Sequence, residues 1–151
     1  MAIVADDLTS PDPIEHVPTV GRRMADLADA ALDAGLLVAR AAVGPQSDDV
    51  ALAVIAMGKT GACELNYISD VDVVYVVGPA QESPGADEPS EEYLVDVGTR
   101  LATELAHVIS ATAPEPPLWP LDTALRPEGK DGALVRTLDS YLAYYRWWAA
   151  S

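Results

Sequence analysis

Ser69-Asp70-Val71-Asp72 opens an apolar run, Val73 to Val77. Side chains alternate along a strand, so Asp70 and Asp72 share a face with α-carbons about 6–7 Å apart. At an effective dielectric near ~20, two carboxylates at that separation repel by roughly 2 kcal/mol. A fold that sets such a pair before a buried strand needs a compensating cation. The natural one is a hard divalent ion such as Mg²⁺, which takes oxygen ligands and is commonly shared with a phosphate. The pair alone is also what a solvated turn at a strand end looks like. The glycines on the preceding turn and a further carboxylate in a later strand-like stretch favour the metal.

The elements that must position the pair lie in one stretch, Ala51 to Val77. It reads as a buried strand (Val50 to Met57), a glycine turn, a short polar segment and a second strand. Gly58-Lys59-Thr60 invites a P-loop reading, but that motif requires a glycine where Ala53 stands. The turn retains a phosphate role of its own. Gly58 and Gly61 let backbone N–H groups approach an anion, and Lys59 can neutralise it, unless it is simply an exposed turn lysine.

The run from Met57 to Asp72, MGKTGACELNYISDVD, resembles the signature of the glutamine synthetase adenylyltransferases, a family within the DNA polymerase β-like nucleotidyltransferases. A second block from Leu121 to Val135, LDTALRPEGKDGALV, resembles that family's other motif. Both occur in the family's order, and the likeness runs from about Val20 onward. It implies an α/β fold with a small mixed sheet flanked by helices. It implies that Asp70 and Asp72 bridge two Mg²⁺ ions and that Asp122 holds the catalytic one and helps deprotonate the nucleophile. Ser69 and the Gly58 turn would hold nucleotide phosphates. Leu121 to Arg126 reads as a third strand, with Asp122 opposite the Asp70/Asp72 pair and Arg126 on the same face as a cationic fork for phosphate.

The implied chemistry lies at the AMP–tyrosine bond of glutamine synthetase, in the regulation of nitrogen assimilation. Glu64-Leu65-Asn66-Tyr67 looks more like the adenylyl-removing half of the family enzyme, where phosphate attacks AMP-tyrosine and ADP leaves. The alternatives are ATP-dependent adenylylation, or an inactive fragment that only binds glutamine synthetase. A nitrogen-signalling regulatory protein is a further implied partner. An acidic α/β domain that binds Ca²⁺ or nothing is the plainest reading, but it leaves the Asp122 block unexplained.

The 151 residues are half apolar, enough for one domain with a core. A net charge of −15 repels nucleic-acid phosphates, so no DNA or RNA substrate is expected. The single cysteine, Cys63, excludes an internal disulfide and suits a reducing cytoplasm; it reads as a small buried hydrophobe. No apolar run has membrane-spanning length, and no signal pattern opens the chain.

Residues 1–18 carry acids and prolines and read as a flexible leader, with His16 solvated; residues 19–151 form the domain. Thr19 caps an amphipathic helix to Ala42, with Val20, Met24, Leu27, Ala28, Ala31, Leu32 and Val38 on its apolar stripe. Arg22 and Arg23 could meet the acidic leader or a partner, but read first as a solvated face. Gly78 to Ser90 is a Pro/Gly/acid loop. Ser90 caps a helix whose stripe is Leu94, Val97, Leu101, Leu105, Val108 and Ile109, with His107 beside it as a packed or surface residue. Ala113 to Pro120 is extended, with Trp119 toward the core. Glu128 to Gly132 is a hairpin-like turn into a short returning strand, Ala133 to Arg136. Thr137 caps a last helix, rich in Tyr and Trp, that expects cover on most sides and reads as truncated at Ser151.

Overall fold

Strand β2 (Val71–Pro79) is the axis of the fold. A computed structural model describes residues 2–80, 89–110 and 119–150. Strand β1 (Val50–Ala56) pairs with β2 antiparallel, from Val50 opposite Pro79 to Ala56 opposite Val73. Along the other edge of β2 lie two short strands, both parallel to it. Leu121–Asp122 (β3) pairs with Val71 and Asp72, and Val135–Thr137 (β4) pairs with Tyr75 to Val77. The result is the small mixed sheet with flanking helices that the sequence implied.

The alternation of β2 decides its two faces. Val71, Val73, Tyr75 and Val77 are buried together with Val50, Leu52 and Val135. Each such side chain, fully buried, contributes roughly 1.5–3 kcal/mol. Helix α4 (Glu91–Ser110) covers this face: a Cβ on its Gly98 would lie 2.9 Å from Val77 and 3.1 Å from Val135. Helix α2 (Pro13–Val43) packs along α4, where a Cβ on Gly35 would lie 2.8 Å from Leu105. Val20, Met24, Ala28 and Leu32 are buried as the spacing predicted, but Leu27 and Val38 are exposed. Gly21, Ala25, Gly35 and Ala39 complete the buried stripe; Gly35 lies against α4, and Gly21 lies against the Cys63–Glu64 backbone, where a Cβ would stand 3.1 Å away.

The stretch expected as an irregular leader is helical. Helix α1 spans Ala2–Thr9, and its Ile3 packs against the core. Helix α2 starts at Pro13, six residues before Thr19, with Asp12 as its cap accepting the Glu15 N–H at 3.2 Å. Pro13 sits in the first turn, where its missing N–H costs nothing, so a proline that read as a breaker is a starter. The acids of α1 have partners. Asp6 pairs with the Arg23 guanidinium and lies 3.3 Å from His16 Nε2; Asp7 accepts the Tyr67 hydroxyl at 2.9 Å. His16 is therefore half-buried against a carboxylate, where a solvated side chain was expected, while Arg23 stays exposed and meets the acidic segment, the alternative its position allowed.

Other boundaries follow the sequence more closely. Ser90 accepts the Tyr93 N–H at 3.2 Å and caps α4; Leu94, Val97, Leu101 and Leu105 are buried, and His107 is on the surface. Most of the loop 78–90 and of the segment 113–120 lies outside the described residues, but Trp119 is in the core. Thr137 accepts the Ser140 N–H at 3.2 Å and caps α5 (Leu138–Ala149). Among the described residues the cover of α5 is partial: Tyr141 is buried, whereas Trp147 and Trp148 are 68% and 64% exposed. This helix meets the sheet on one side only. No helix among the described residues is long and apolar enough to cross a membrane.

The third strand is shorter than Leu121 to Arg126. Asp122 Oδ1 accepts the Ala124 N–H at 2.7 Å and turns the chain out of the sheet after two residues. Strands β3 and β4 run the same way, so Glu128 to Gly132 is no hairpin. It holds a short 3-10 turn, Gly129–Asp131, entered through Glu128 at φ 63°.

Candidate metal and nucleotide site

The face of the sheet turned away from α4 carries the acids. Asp72 and Asp122 are direct register partners on adjacent parallel strands. Neighbouring strands run about 4.8 Å apart, so the two carboxylates stand side by side. Asp70 precedes β2 by one residue and joins them. Each of the three offers a carboxylate oxygen, and these oxygens all lie within 4.8 Å of one another. Asp70 is exposed and the other two are half-buried. The three residues singled out from the sequence as metal ligands therefore converge.

The crowding has an electrostatic signature. The Asp72 carboxyl is raised above its ordinary pKa by burial first, then by the charges of Asp70 and Asp122; Lys59 pulls it down. Lys59 is thus close enough to feel the site while remaining exposed. Three carboxylates with hard oxygen donors and one distant ammonium fit a divalent cation of the Mg²⁺ type better than a soft metal, which would take sulfur or nitrogen.

The glycine turn, Gly58–Gly61 (α3), is pressed against this cluster. Gly58 has φ 51°, and a Cβ there would lie 2.3 Å from Asp72 Oδ2. The Met57 N–H donates to the Asp72 carbonyl at 2.8 Å, so the turn is tied to the strand bearing the carboxylate. Gly61 is needed for packing, since its Cβ would lie 2.5 Å from the Ala56 carbonyl oxygen. Ser69 Oγ is buried and has no hydrogen-bond partner among the described residues. A hydroxyl left unpaired at the edge of an acidic cluster suits a ligand oxygen.

Arg126 is placed differently from the sequence reading. Its Nε donates to the Gly132 carbonyl at 3.1 Å and its Nη1 to the Thr123 carbonyl and hydroxyl at 2.8 and 3.0 Å. Its Nη2 donates to the Lys130 carbonyl at 3.0 Å. The guanidinium has five N–H groups, so one remains for a phosphate. Its main occupation is to fold the loop that follows Asp122. Cys63 is half-buried against the core, at φ 58°.

Two neighbours on the acidic face escaped the sequence reading. Ile55 pairs with Val74, and Arg136 pairs with Val76, so both point to the side of Asp72. The signal for Ile55 was the alternation of β1, but VALAVIA is apolar on both faces and hides it. A separate cavity of about 550 Å³ lies between α2 and residues 62–67; none of the three acids lines it.

The sequence also matches known proteins. The family model described as glutamate-ammonia ligase adenylyltransferase matches residues 3–151. The chain is 46% identical over 151 residues to a bifunctional glutamine synthetase adenylyltransferase/adenylyl-removing enzyme of Bifidobacterium longum, covering 98% of the chain and 14% of that relative. The enzyme of the same description from Leifsonia xyli is 48% identical over 155 residues, covering 95% of the chain and 15% of the relative. That from Streptomyces avermitilis is 52% identical over 126 residues, covering 83% and 12%. The chain thus spans about one-seventh of the length of these relatives.

Proposed function

The chain belongs to the glutamate-ammonia ligase adenylyltransferase family, and from that membership we propose that it is a nucleotidyltransferase domain acting on the AMP–tyrosine bond of glutamine synthetase. The observation that carries the reading is the meeting of Asp70, Asp72 and Asp122 within 4.8 Å. Asp70 and Asp72 would bridge two Mg²⁺ ions, with Asp122 a ligand of one of them. Bound there, the ions neutralise charge on the attacking and leaving oxygens.

The protein's own groups divide the remaining work. The Gly58 turn, Lys59 and Ser69 bind phosphate oxygens; Gly61 keeps the turn tight; Arg126 lends one N–H and steadies the loop behind Asp122. Transfer of this kind is mainly positioning and charge neutralisation. Asp122 Oδ1 is held by the Ala124 N–H, which orients Oδ2 for the tyrosine oxygen and its proton.

The favoured direction is phosphorolytic removal, supported by the Glu64-Leu65-Asn66-Tyr67 segment. An oxygen of inorganic phosphate attacks the AMP phosphorus, the bond to the tyrosine oxygen breaks, ADP leaves and the tyrosine oxygen regains a proton. The reverse-type reaction, in which a tyrosine hydroxyl attacks ATP and pyrophosphate leaves, uses the same groups. The reaction belongs in the cytoplasm, with a nitrogen-signalling regulatory protein as a further partner; no nucleic acid is involved.

Incubation with adenylylated glutamine synthetase, phosphate and Mg²⁺ is expected to release ADP, and Asp70→Asn is expected to abolish it. Pyrophosphate release from ATP with unmodified glutamine synthetase would reverse the direction. Equal behaviour of wild type and Asp70→Asn in both assays would overturn the reading.

A further inference from the structure

Beside the acids, the part of the same face built by β1 is an uncharged floor. Ile55 is opposite Val74, and Asp72 is two residues further along the same strand on the same side. Residues in that diagonal relation lie about 7–8 Å apart. Ala53, opposite Val76, and Ala51, opposite Gly78, continue the floor away from the acids. Ile55 is 42% exposed, and Ala51 and Ala53 are exposed as well. In a chain with net charge −15, the β1 side of this face, Ile55, Ala53 and Ala51, carries no charged side chain among the described residues, whereas Arg136 stands opposite Val76 on the β4 side. Its small alanines leave the backbone accessible to a flat group.

The side on which the floor lies identifies its occupant. Asp122 is on the β3 side of Asp72, and Ile55 is on the β1 side. With the nucleophilic or leaving tyrosine oxygen at Asp122, the tyrosine approaches from β3. The phosphate chain is held by the Gly58 turn, at the end of β1. What remains on the β1 side is the nucleoside. A purine is planar, uncharged and largely apolar on its faces, and it gains by covering alkyl groups in water.

We propose that Ile55, with Ala53 and Ala51, forms the floor on which the base of the nucleotide packs, and that Ile55 sets affinity for the nucleoside rather than for phosphate. This rests on the nucleotidyltransferase reading above. Ile55→Thr keeps β-branching and therefore the strand, while placing a hydroxyl where a methyl stood; Ile55→Val keeps the apolar surface.

The test is titration of the protein with ADP and with pyrophosphate, each with Mg²⁺, by calorimetry. Ile55→Thr is expected to weaken ADP by roughly tenfold and leave pyrophosphate unchanged, with Ile55→Val close to wild type. Equal ADP affinity in all three proteins would overturn the floor and leave the phosphate site standing. Equal loss of ADP and pyrophosphate in Ile55→Thr would also overturn it, by showing a general disturbance of the site. Absence of binding of either ligand to wild type would overturn both the functional reading and this one.

Discussion

Gly58 and Asp72 are in direct steric register: the glycine's missing side chain is the space occupied by the aspartate's Oδ2, 2.3 Å from where a Cβ would stand. The contact joins the turn after β1 to the acid on β2, residues that the Met57 N–H also links at 2.8 Å. It makes the glycine turn part of the acidic site.

Gly58→Ala is therefore expected to damage the site twice. A left-handed backbone at φ 51° costs an alanine roughly 1–2 kcal/mol. The new Cβ also pushes Asp72 aside, and a displacement near 1 Å at a reacting centre costs on the order of 100-fold in rate. Thermal melts and ADP release measure the two effects separately.

The raised Asp72 carboxyl predicts how stability depends on pH and metal. The folded protein holds that proton more tightly than the unfolded chain, so without metal its stability falls as pH rises through the window between the ordinary and the raised value. At neutral pH in EDTA, Asp72→Asn should melt above wild type, and the two should converge well below the ordinary carboxyl range. Mg²⁺ should raise the Tm of wild type and not that of the variant.

Arg126→Lys should lower stability by about 1–3 kcal/mol, because a single ammonium cannot reach the Thr123, Lys130 and Gly132 carbonyls together. Urea unfolding measures the loss. Mg²⁺ affinity should fall with it, since the loop begins at Asp122.

Gly98→Ala should destabilise the protein by about 1–3 kcal/mol by wedging α4 off Val77 and Val135. The acids lie on the opposite face, so the residual folded protein should keep its Mg²⁺ affinity.

Tyr75→Phe should be tolerated and gain up to about 1–2 kcal/mol, because the buried Tyr75 hydroxyl has no hydrogen-bond partner among the described residues. Burial pushes its pKa up to about 12. A spectrophotometric titration of wild type should therefore show one tyrosine ionising near that value, and the variant should lack it.

Local patterns in the chain were enough to place Asp70 and Asp72 at the head of an apolar strand, to put a glycine turn before them and to find the caps Ser90 and Thr137. Each depends on neighbours a few residues away, through alternation, turn chemistry or capping. The same local reasoning failed at residues 2–18, where Pro13 in a first turn looks like any other proline until the helix behind it is seen. It was silent on the loop partners of Arg126, which are carbonyls of a segment with no periodicity. The meeting of Asp72 with Asp122 was expected from the motif resemblance and a strand reading of Leu121 to Arg126, but tertiary structure carries it: fifty residues separate them, and the parallel register of β2 and β3 sets them side by side. The open floor around Ile55 was decided the same way, because a strand apolar on both faces does not say which face a helix will cover.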